Sequence, residues 1–297
     1  PMLATPWQSP FIDEEWLFEL KWDGLRCLLS SDRSGVSLHS RTGNDMTGRY
    51  PQLSGASFPH GIVLDGEIVA LGDDGLPSFA RLQGAARRPV QVSFVVFDLI
   101  HAGHPLISEP LGTRLQRLDD LELPANCTVP DRFEGDPTPL WDFVKRHDLE
   151  GIVGKRLGSV YRPGTRSPDW RKIGNWQQVR AVVGGFTAGT GGRGSSFGAL
   201  LLGLWVEGGL RFVGSVGSGF DDAALHAIRG ALDEMTIPDS PFVPGQEIPS
   251  ATWVEPRLVA VVRFKQWTVA GRLRAPSFKG LSDLPRGDAS WVEEGPP

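Results

Sequence analysis

At roughly 100–200 residues per domain, a chain of 297 residues is predicted to form two domains rather than one. Hydrophobic residues at 40% and charged residues at 22% exclude a disordered polymer. The formal net charge of −5 excludes a protein that coats nucleic acid through bulk charge, so any nucleic-acid site has to be a local basic patch.

Residues 15–30 and 35–41 are apolar runs separated by Ser31-Asp32-Arg33-Ser34-Gly35, and this turn chemistry predicts a hairpin. Residues 62–71 and 91–99 are β-branched or aromatic runs bounded by Gly or Pro and read as strands of an antiparallel sheet. Helical spacing of Leu111, Leu115 and Leu118, and of Leu140, Phe143 and Val144, predicts helices over 110–121 and 139–147. Residues 151–155 form a short buried strand, and the first unit ends near 178. Beyond it, strands are expected at 182–186, 199–206, 210–216, 253–263 and 264–268, with a helix at 221–235. Five strands and one helix suit a small closed barrel such as the OB-fold. The segment 189–196 reads as a flexible loop, and the tail after residue 284, rich in Pro, Gly and acid, as loosely ordered. The 37 Gly and 24 Pro fit many short strands joined by tight turns.

Cys27 and Cys127 supply neither a four-cysteine zinc site nor a disulfide framework, so a reducing cytoplasm is the expected setting. The six histidines show no ligand-like pairing, and no zinc is assigned. The opening residues carry neither a basic nor an apolar targeting region, and no apolar run reaches the roughly 18 residues of a membrane span.

Chemistry concentrates in a series of short motifs. Lys21-Trp22-Asp23-Gly24-Leu25-Arg26 stands where a strand meets a turn, and a lysine there attacks a phosphorus only if its amine loses its proton. By itself such a motif is more often a surface turn, Phe97 in Val95-Val96-Phe97 a core residue, and Asp65-Gly66-Glu67 a bend between strands. Their order carries the information: the lysine is followed by Ser40-Arg41-Thr42-Gly43, Asp65-Gly66-Glu67, Phe97-Asp98-Leu99, Glu150-Gly151-Ile152-Val153-Gly154-Lys155, Trp170-Arg171-Lys172 and Arg274-Ala275-Pro276-Ser277-Phe278-Lys279.

This series resembles the covalent nucleotidyltransferase superfamily, and within it the bacterial ATP-dependent DNA ligases of the end-joining type. The resemblance implies an α+β chain: an adenylation domain of antiparallel sheets with helices over 1–178, then an OB-fold β-barrel domain with a loose C-terminal tail over 179–297. It implies ATP as cofactor, a covalent AMP on Lys21, and Mg²⁺ or Mn²⁺ held by Glu150 and Glu67. Arg26 and Arg41 would meet the sugar and phosphate side of the nucleotide or an incoming 5′-phosphate. Lys172 and Lys155 would neutralise the α-phosphate, Phe97 would stack on adenine, Glu19 would lie at the base edge, and Glu67 would also accept from a ribose hydroxyl. Arg274 and Lys279 would serve the ATP-facing pose of the second domain. The implied partners are nicked or broken duplex DNA and other DNA-repair proteins, with no membrane, for a monomer in the bacterial cytoplasm that associates with the nucleoid during repair. An RNA ligase, a capping-type enzyme, and a DNA-binding OB protein with a decayed nucleotide site are the alternatives.

Two expectations follow from that function. Cations for DNA would come from Arg81, Arg87, Arg88, Arg162, Arg166, Arg171 and Arg193. The segment after Trp170 usually carries two lysines one residue apart; here Gly174 replaces the second, so either Arg171, Lys155 or a group of the second domain stands in, or the first step is slow.

Overall fold

The computed structural model describes residues 1–73, 75–84, 90–283 and 285–296. The chain divides into two compact units, Pro1–Asn175 and Trp176–Pro297. The first contains, in order, β1 (Leu3–Trp7), β2 (Asp13–Leu20), β3 (Leu25–Asp32), β4 (Gly35–Ser40), α1 (Pro51–Ser54), β5 (Ile62–Val69), α2 (Phe79–Gly84), β6 (Ser93–Ala102), α3 (Leu111–Asp119), β7 (Cys127–Thr128), β8 (Phe133–Gly135), α4 (Thr138–Arg146), β9 (Gly151–Arg156) and β10 (Arg166–Gly174).

These strands form two five-stranded sheets, ordered β1-β10-β9-β2-β8 and β4-β3-β5-β6-β7. The expected antiparallel sheets are in fact mixed, because β1 runs parallel to β10 and β7 parallel to β6. The expected hairpin exists as β3 and β4, but the apolar run from 15 to 30 is two strands in different sheets. The break falls at residues 21–24, where Asp23 and Gly24 favour a turn over continued extension. That break leaves Lys21 at the crossing between sheets.

Strand alternation sorts the first sheet. Glu19 pairs with Val153, Val153 with Lys172 and Lys155 with Trp170, so these side chains share one face. Trp16, Phe18, Ile152 and Ile173 pack together with Leu140 and Val144 of α4. In α3 the periodic leucines are buried as predicted, and Arg114 is buried among them, its guanidinium held by both oxygens of Asp98 at 2.7 and 2.8 Å. Helix α4 ends at Arg146, and two residues on Asp148, at φ 48°, turns the chain while Leu149 N donates to Val144 O at 3.0 Å. Glu150 follows at the entrance to β9.

The second unit contains β11 (Gln177–Ala188), β12 (Phe197–Val206), β13 (Gly209–Val216), α5 (Asp222–Glu234), β14 (Thr236–Ile237), β15 (Thr252–Val254), β16 (Val259–Phe264), β17 (Ser277–Ser282) and α6 (Trp291–Glu294). It keeps the OB-fold order of three strands, a helix and further strands. Asp221 caps α5 by accepting from Ala224 N at 2.8 Å. The long β11 pairs with β12 on one side and with β15 and β16 on the other.

Three expectations for this unit need correction. The sheet has seven strands rather than five: the run 253–263 is divided by Glu255-Pro256, residues 264–268 lie mostly outside any strand, and the last strand is β17. The barrel is open. Among the described residues no ladder joins β13 to β17; Leu273 N donates to Val213 O at 2.8 Å and Phe278 N to Ser218 O at 2.9 Å as single bonds. The tail is anchored rather than loose, because Ala289 is buried, Ser290 caps α6, Glu294 pairs with Arg180, and the rings of Trp291 and Trp267 lie 5.9 Å apart.

Candidate active site

A cavity of about 200 Å³ opens in the first unit between the two sheets, with the turn after β2 on its wall. Glu19, Lys21, Arg26, Arg41, Glu67, Phe97, Lys155 and Lys172 all line it, so eight of the residues singled out in sequence converge on one place. The first sheet supplies Glu19, Lys155 and Lys172, and the second supplies Arg26 from β3, Glu67 from β5 and Phe97 from β6. Arg26 and Glu67 are register partners.

Lys21 is held from both ends. Its N–H donates to Gly151 O at 2.9 Å, and its Nζ lies 2.5 Å from Glu150 Oε2. Gly151 permits this approach: at φ 138° it lies so close to β10 that a Cβ would come within 2.1 Å of Ile173 O. The motif glycine after Glu150 therefore brings the carboxylate to the lysine.

Behind the lysine the pocket floor is a buried polar layer. Arg26 donates to both oxygens of Asp65 at 2.6 and 2.7 Å and to Met2 O at 3.2 Å. Tyr161 OH donates to Asp65 Oδ2 at 2.6 Å and accepts from Met2 N at 2.9 Å. Lys155 Nζ donates to Glu19 Oε2 at 2.6 Å and to Phe97 O at 3.1 Å. Glu19 Oε1, also buried, has no hydrogen-bond partner among the described residues. The ring of Phe97 faces cations at 4.5 Å from Arg26 Cζ and 4.4 Å from Lys155 Nζ.

Charge in the pocket is unbalanced. Six cations line it with two carboxylates, Glu19 and Glu67, and Glu150 and Asp65 pair with two of those cations, Lys21 and Arg26, so a smaller positive surplus remains in a chain whose net charge is −5. Burial, then the neighbouring Arg166 and Lys21, hold the Lys172 amine below its ordinary value. Burial pushes the Glu67 carboxyl up to about 7 against the attraction of Arg26 and Lys21, while Glu150 and Asp65 also oppose its ionisation. Among the described residues no three His, Cys, Asp or Glu side chains cluster as a metal cage. Glu67 and Glu150, both beside Lys21, match the one or two carboxylates with which Mg²⁺ is usually held when substrate phosphates complete its shell.

Several expected cations lie elsewhere. Arg171 alternates away from Lys172, and its Cζ stands 3.9, 4.7 and 4.3 Å from the rings of Trp7, Phe11 and Trp16. It cannot stand in for the lysine absent at 174. Arg193 spends its guanidinium on Gly217 O at 2.7 Å and Gly198 O at 3.4 Å, closing the 191–193 turn. Arg81 pairs with Asp73 at 2.6 Å, Arg162 stands 3.9 Å from Asp169, and Arg87 and Arg88 lie outside the described residues. Arg274 and Lys279 belong to the second unit and do not line the cavity; Arg274 donates to Gln266 Oε1 at 3.3 Å.

Of the lining residues that sequence does not assign to the site, Leu3, Ala4, Leu20 and Val153 are aliphatic, and three carry aromatic or charged side chains: Trp22, the variable position of the lysine motif, Arg166, expected among the DNA cations, and Trp170. Trp170 was within reach, since it precedes Lys172 by two on the same strand face.

The profile of the ATP dependent DNA ligase domain matches residues 1–173, and that of the ATP dependent DNA ligase C terminal region matches residues 193–283. The chain is 39% identical over 289 residues to the multifunctional non-homologous end joining DNA repair protein LigD of Mycobacterium tuberculosis, a match covering 95% of this chain and 38% of that protein. It is 30% identical over 285 residues to the SPbeta prophage-derived DNA ligase-like protein LigB of Bacillus subtilis, covering 94% of this chain and 97% of that one. The crystal structure of the ligase domain from M. tuberculosis LigD superposes with a TM-score of 0.56 at 36% identity, covering 97% of each chain.

Proposed function

The chain belongs to the ATP-dependent DNA ligase family, and from that premise we propose three successive transfers in one pocket, with Lys21 the nucleophile of the first and the leaving group of the second. In the first, the uncharged Lys21 amine attacks the α-phosphorus of ATP, the bond to the β-phosphate oxygen breaks, pyrophosphate leaves and the amine proton passes to solvent. In the second, the AMP passes from Lys21 to a DNA 5′-phosphate, making a pyrophosphate-linked adenylate and freeing the lysine. In the third, a 3′-hydroxyl attacks that 5′-phosphate, AMP departs and the strand is sealed.

The observation that carries this reading is the pairing of Lys21 with Glu150 at 2.5 Å at a pocket lined by six cations and by the carboxylates of Glu19 and Glu67. Phosphoryl transfer depends on positioning and charge neutralisation, and such a surplus suits a triphosphate and then a DNA phosphate. Lys172 and Arg41 face the phosphates in this proposal, and Arg26, fixed by Asp65, holds the sugar side. Phe97 offers its ring to adenine, while the unpartnered Glu19 Oε1 accepts from the amino edge of the base. Lys155 positions Glu19. Mg²⁺ or Mn²⁺ on Glu150 and Glu67 would neutralise phosphate charge. Arg274 and Lys279 are proposed to meet the nucleotide from the second unit.

We assign adenylation to the first unit and an OB-type role to the second. The chain spans 34–48% of the length of its LigD relatives, so a role in end-joining repair is part of the proposal, as are repair-protein partners, a monomeric state and association with the nucleoid. A bacterial cytoplasm is supported by the free thiols of Cys27 and Cys127; no helix among the described residues is long and apolar enough to cross a membrane. The test is mass spectrometry before and after ATP, followed by sealing of a nicked duplex. Wild type should gain one AMP and seal, and Lys21→Ala should do neither while melting normally. Labelling of Lys21→Ala would remove the lysine from the first step.

A further inference from the structure

Tyr161 is buried and does not line the cavity, yet two residues that do, Phe97 and Trp170, cluster with it and Met2. Its hydroxyl is used twice, donating to Asp65 Oδ2 at 2.6 Å and accepting from Met2 N at 2.9 Å. Arg26 Nη2 meets the same two partners, donating to Asp65 Oδ2 at 2.7 Å and to Met2 O at 3.2 Å. Tyr161, Asp65, Arg26 and the Met2 backbone thus form a closed ring of hydrogen bonds. Burial and then the Asp65 carboxylate push the Tyr161 phenol well above its ordinary value, so at neutral pH it stays a donor to that carboxylate.

The tyrosine is held from outside the site. Its backbone N donates to Ile107 O at 2.8 Å, and its ring stands edge-on to Trp170 at 6.0 Å. Arg114 of α3, whose Cζ is 5.8 Å from that ring, donates to Ser159 O at 3.1 Å and holds both oxygens of Asp98. Asp98 and Asp65 are register partners on β6 and β5, and like charges facing each other across a ladder repel unless each is neutralised. Arg114 serves one aspartate and Arg26 the other. Arg26 spends Nε and Nη2 in this way, and its Nη1 forms no hydrogen bond among the described residues, although Arg26 lines the cavity.

We propose that Tyr161 is a positioning residue for adenylation: by tying Asp65 to the Met2 backbone it fixes the plane of the Arg26 guanidinium, so that Nη1 is aimed at the nucleotide. The inference rests on the reading that Arg26 binds the sugar side of ATP. A guanidinium fork contributes to binding in proportion to how firmly its plane is held before the ligand arrives. Without the hydroxyl, Asp65 loses one of its donors, Met2 N loses its acceptor, and the ring around Arg26 opens. The competing role is packing alone, a ring that fills space beside Trp170.

The experiment measures single-turnover adenylation across ATP concentrations for wild type, Tyr161→Phe, Arg26→Gln and the double variant, each below its melting temperature. Tyr161→Phe should raise the half-saturating ATP concentration about tenfold, the scale of a lost hydrogen bond to a charged group, and leave the limiting rate within about twofold of wild type. Added to Arg26→Gln it should change that concentration by no more than about twofold, because two losses routed through one residue do not add. A wild-type ATP requirement in folded Tyr161→Phe, or a full second loss in the double variant, would overturn the proposal and leave packing as the role. Should Tyr161→Phe fail to fold, a label still decides. The chain has two tyrosines, so 3-fluorotyrosine in Tyr50→Phe protein reports on position 161 alone. Its ¹⁹F resonance should shift on Arg26→Gln, and a resonance that does not move would equally overturn the coupling. Wild type that takes no AMP from ATP would instead sink the ligase reading itself.

Discussion

Lys155 Nζ lies 2.6 Å from Glu19 Oε2, and both side chains are almost wholly removed from water beneath the cavity. Burial opposes ionisation of each, raising the carboxyl and lowering the amine, and their mutual attraction counters that cost. Removing one partner strands the other. Lys155→Met should therefore cost about 3–5 kcal/mol in urea unfolding, whereas Glu19→Gln with Lys155→Met should recover a good part of it. Equal losses in the single and double variants would show that the pair has no energetic coupling.

This pair also marks how far the sequence was legible. Glu19, Lys21 and Lys155 were identifiable by type and order, because their chemistry tolerates few substitutes. Their partnerships were not, since the pairing of Lys155 with Glu19 spans 136 residues and depends on the register of β2 against β9. The predicted helices α3 and α4 appeared because leucine periodicity is a local signal. Strand β10 was missed because Arg166, Asp169, Arg171 and Lys172 break the apolar pattern, their environments being set by a pocket and an aromatic cage that only the fold creates. The tail was misread for a similar reason: its composition is that of a loose end, but Trp291 finds Trp267 and Arg211 in the folded unit.

That anchoring has a measurable consequence. Trp291 is partly buried against the second unit's core, so Trp291→Ala should destabilise the unit by about 2 kcal/mol, below the roughly 3–5 kcal/mol of a fully buried Trp. Chemical denaturation monitors this directly. A change under about 0.5 kcal/mol would mean the tail is a passenger.

Glu67 predicts a pH signature in metal-free protein. Its carboxyl titrates near 7 in the folded protein against an ordinary 4.5, so the folded state favours the protonated form. The sign follows: its contribution to stability is complete below about 4.5 and is lost as pH rises through about 7, a total of about 3 kcal/mol at roughly 1.36 kcal/mol per unit. Glu67→Gln abolishes that titration. With EDTA present, the variant should gain stability over wild type between pH 5 and pH 8, and parallel pH profiles would show that Glu67 is not buried as an acid.

Gly174 provides the last prediction. Alternation places residues 170, 172 and 174 of β10 on one face, so a lysine at 174 would join Lys172 on the pocket side. Arg171 points the other way into its aromatic cage, and Lys155 is committed to Glu19. Burial is the main reason that the Lys172 amine sits below its ordinary value, and the charges of Arg166, Lys21 and Arg41 add to it. A further lysine would add repulsion to a pocket with a positive surplus, and Gly174 also pairs with Gly151, which has no room for displacement. Single-turnover adenylation of Gly174→Lys should therefore stay within about threefold of wild type or fall, and Arg171→Gln should adenylate at nearly the wild-type rate. A lost charge-assisted hydrogen bond of roughly 1.5–3 kcal/mol corresponds to about one to two orders of magnitude in rate. Acceleration of that size in Gly174→Lys would show that the natural pocket is short of a cation, and that Arg166 does not fill the place.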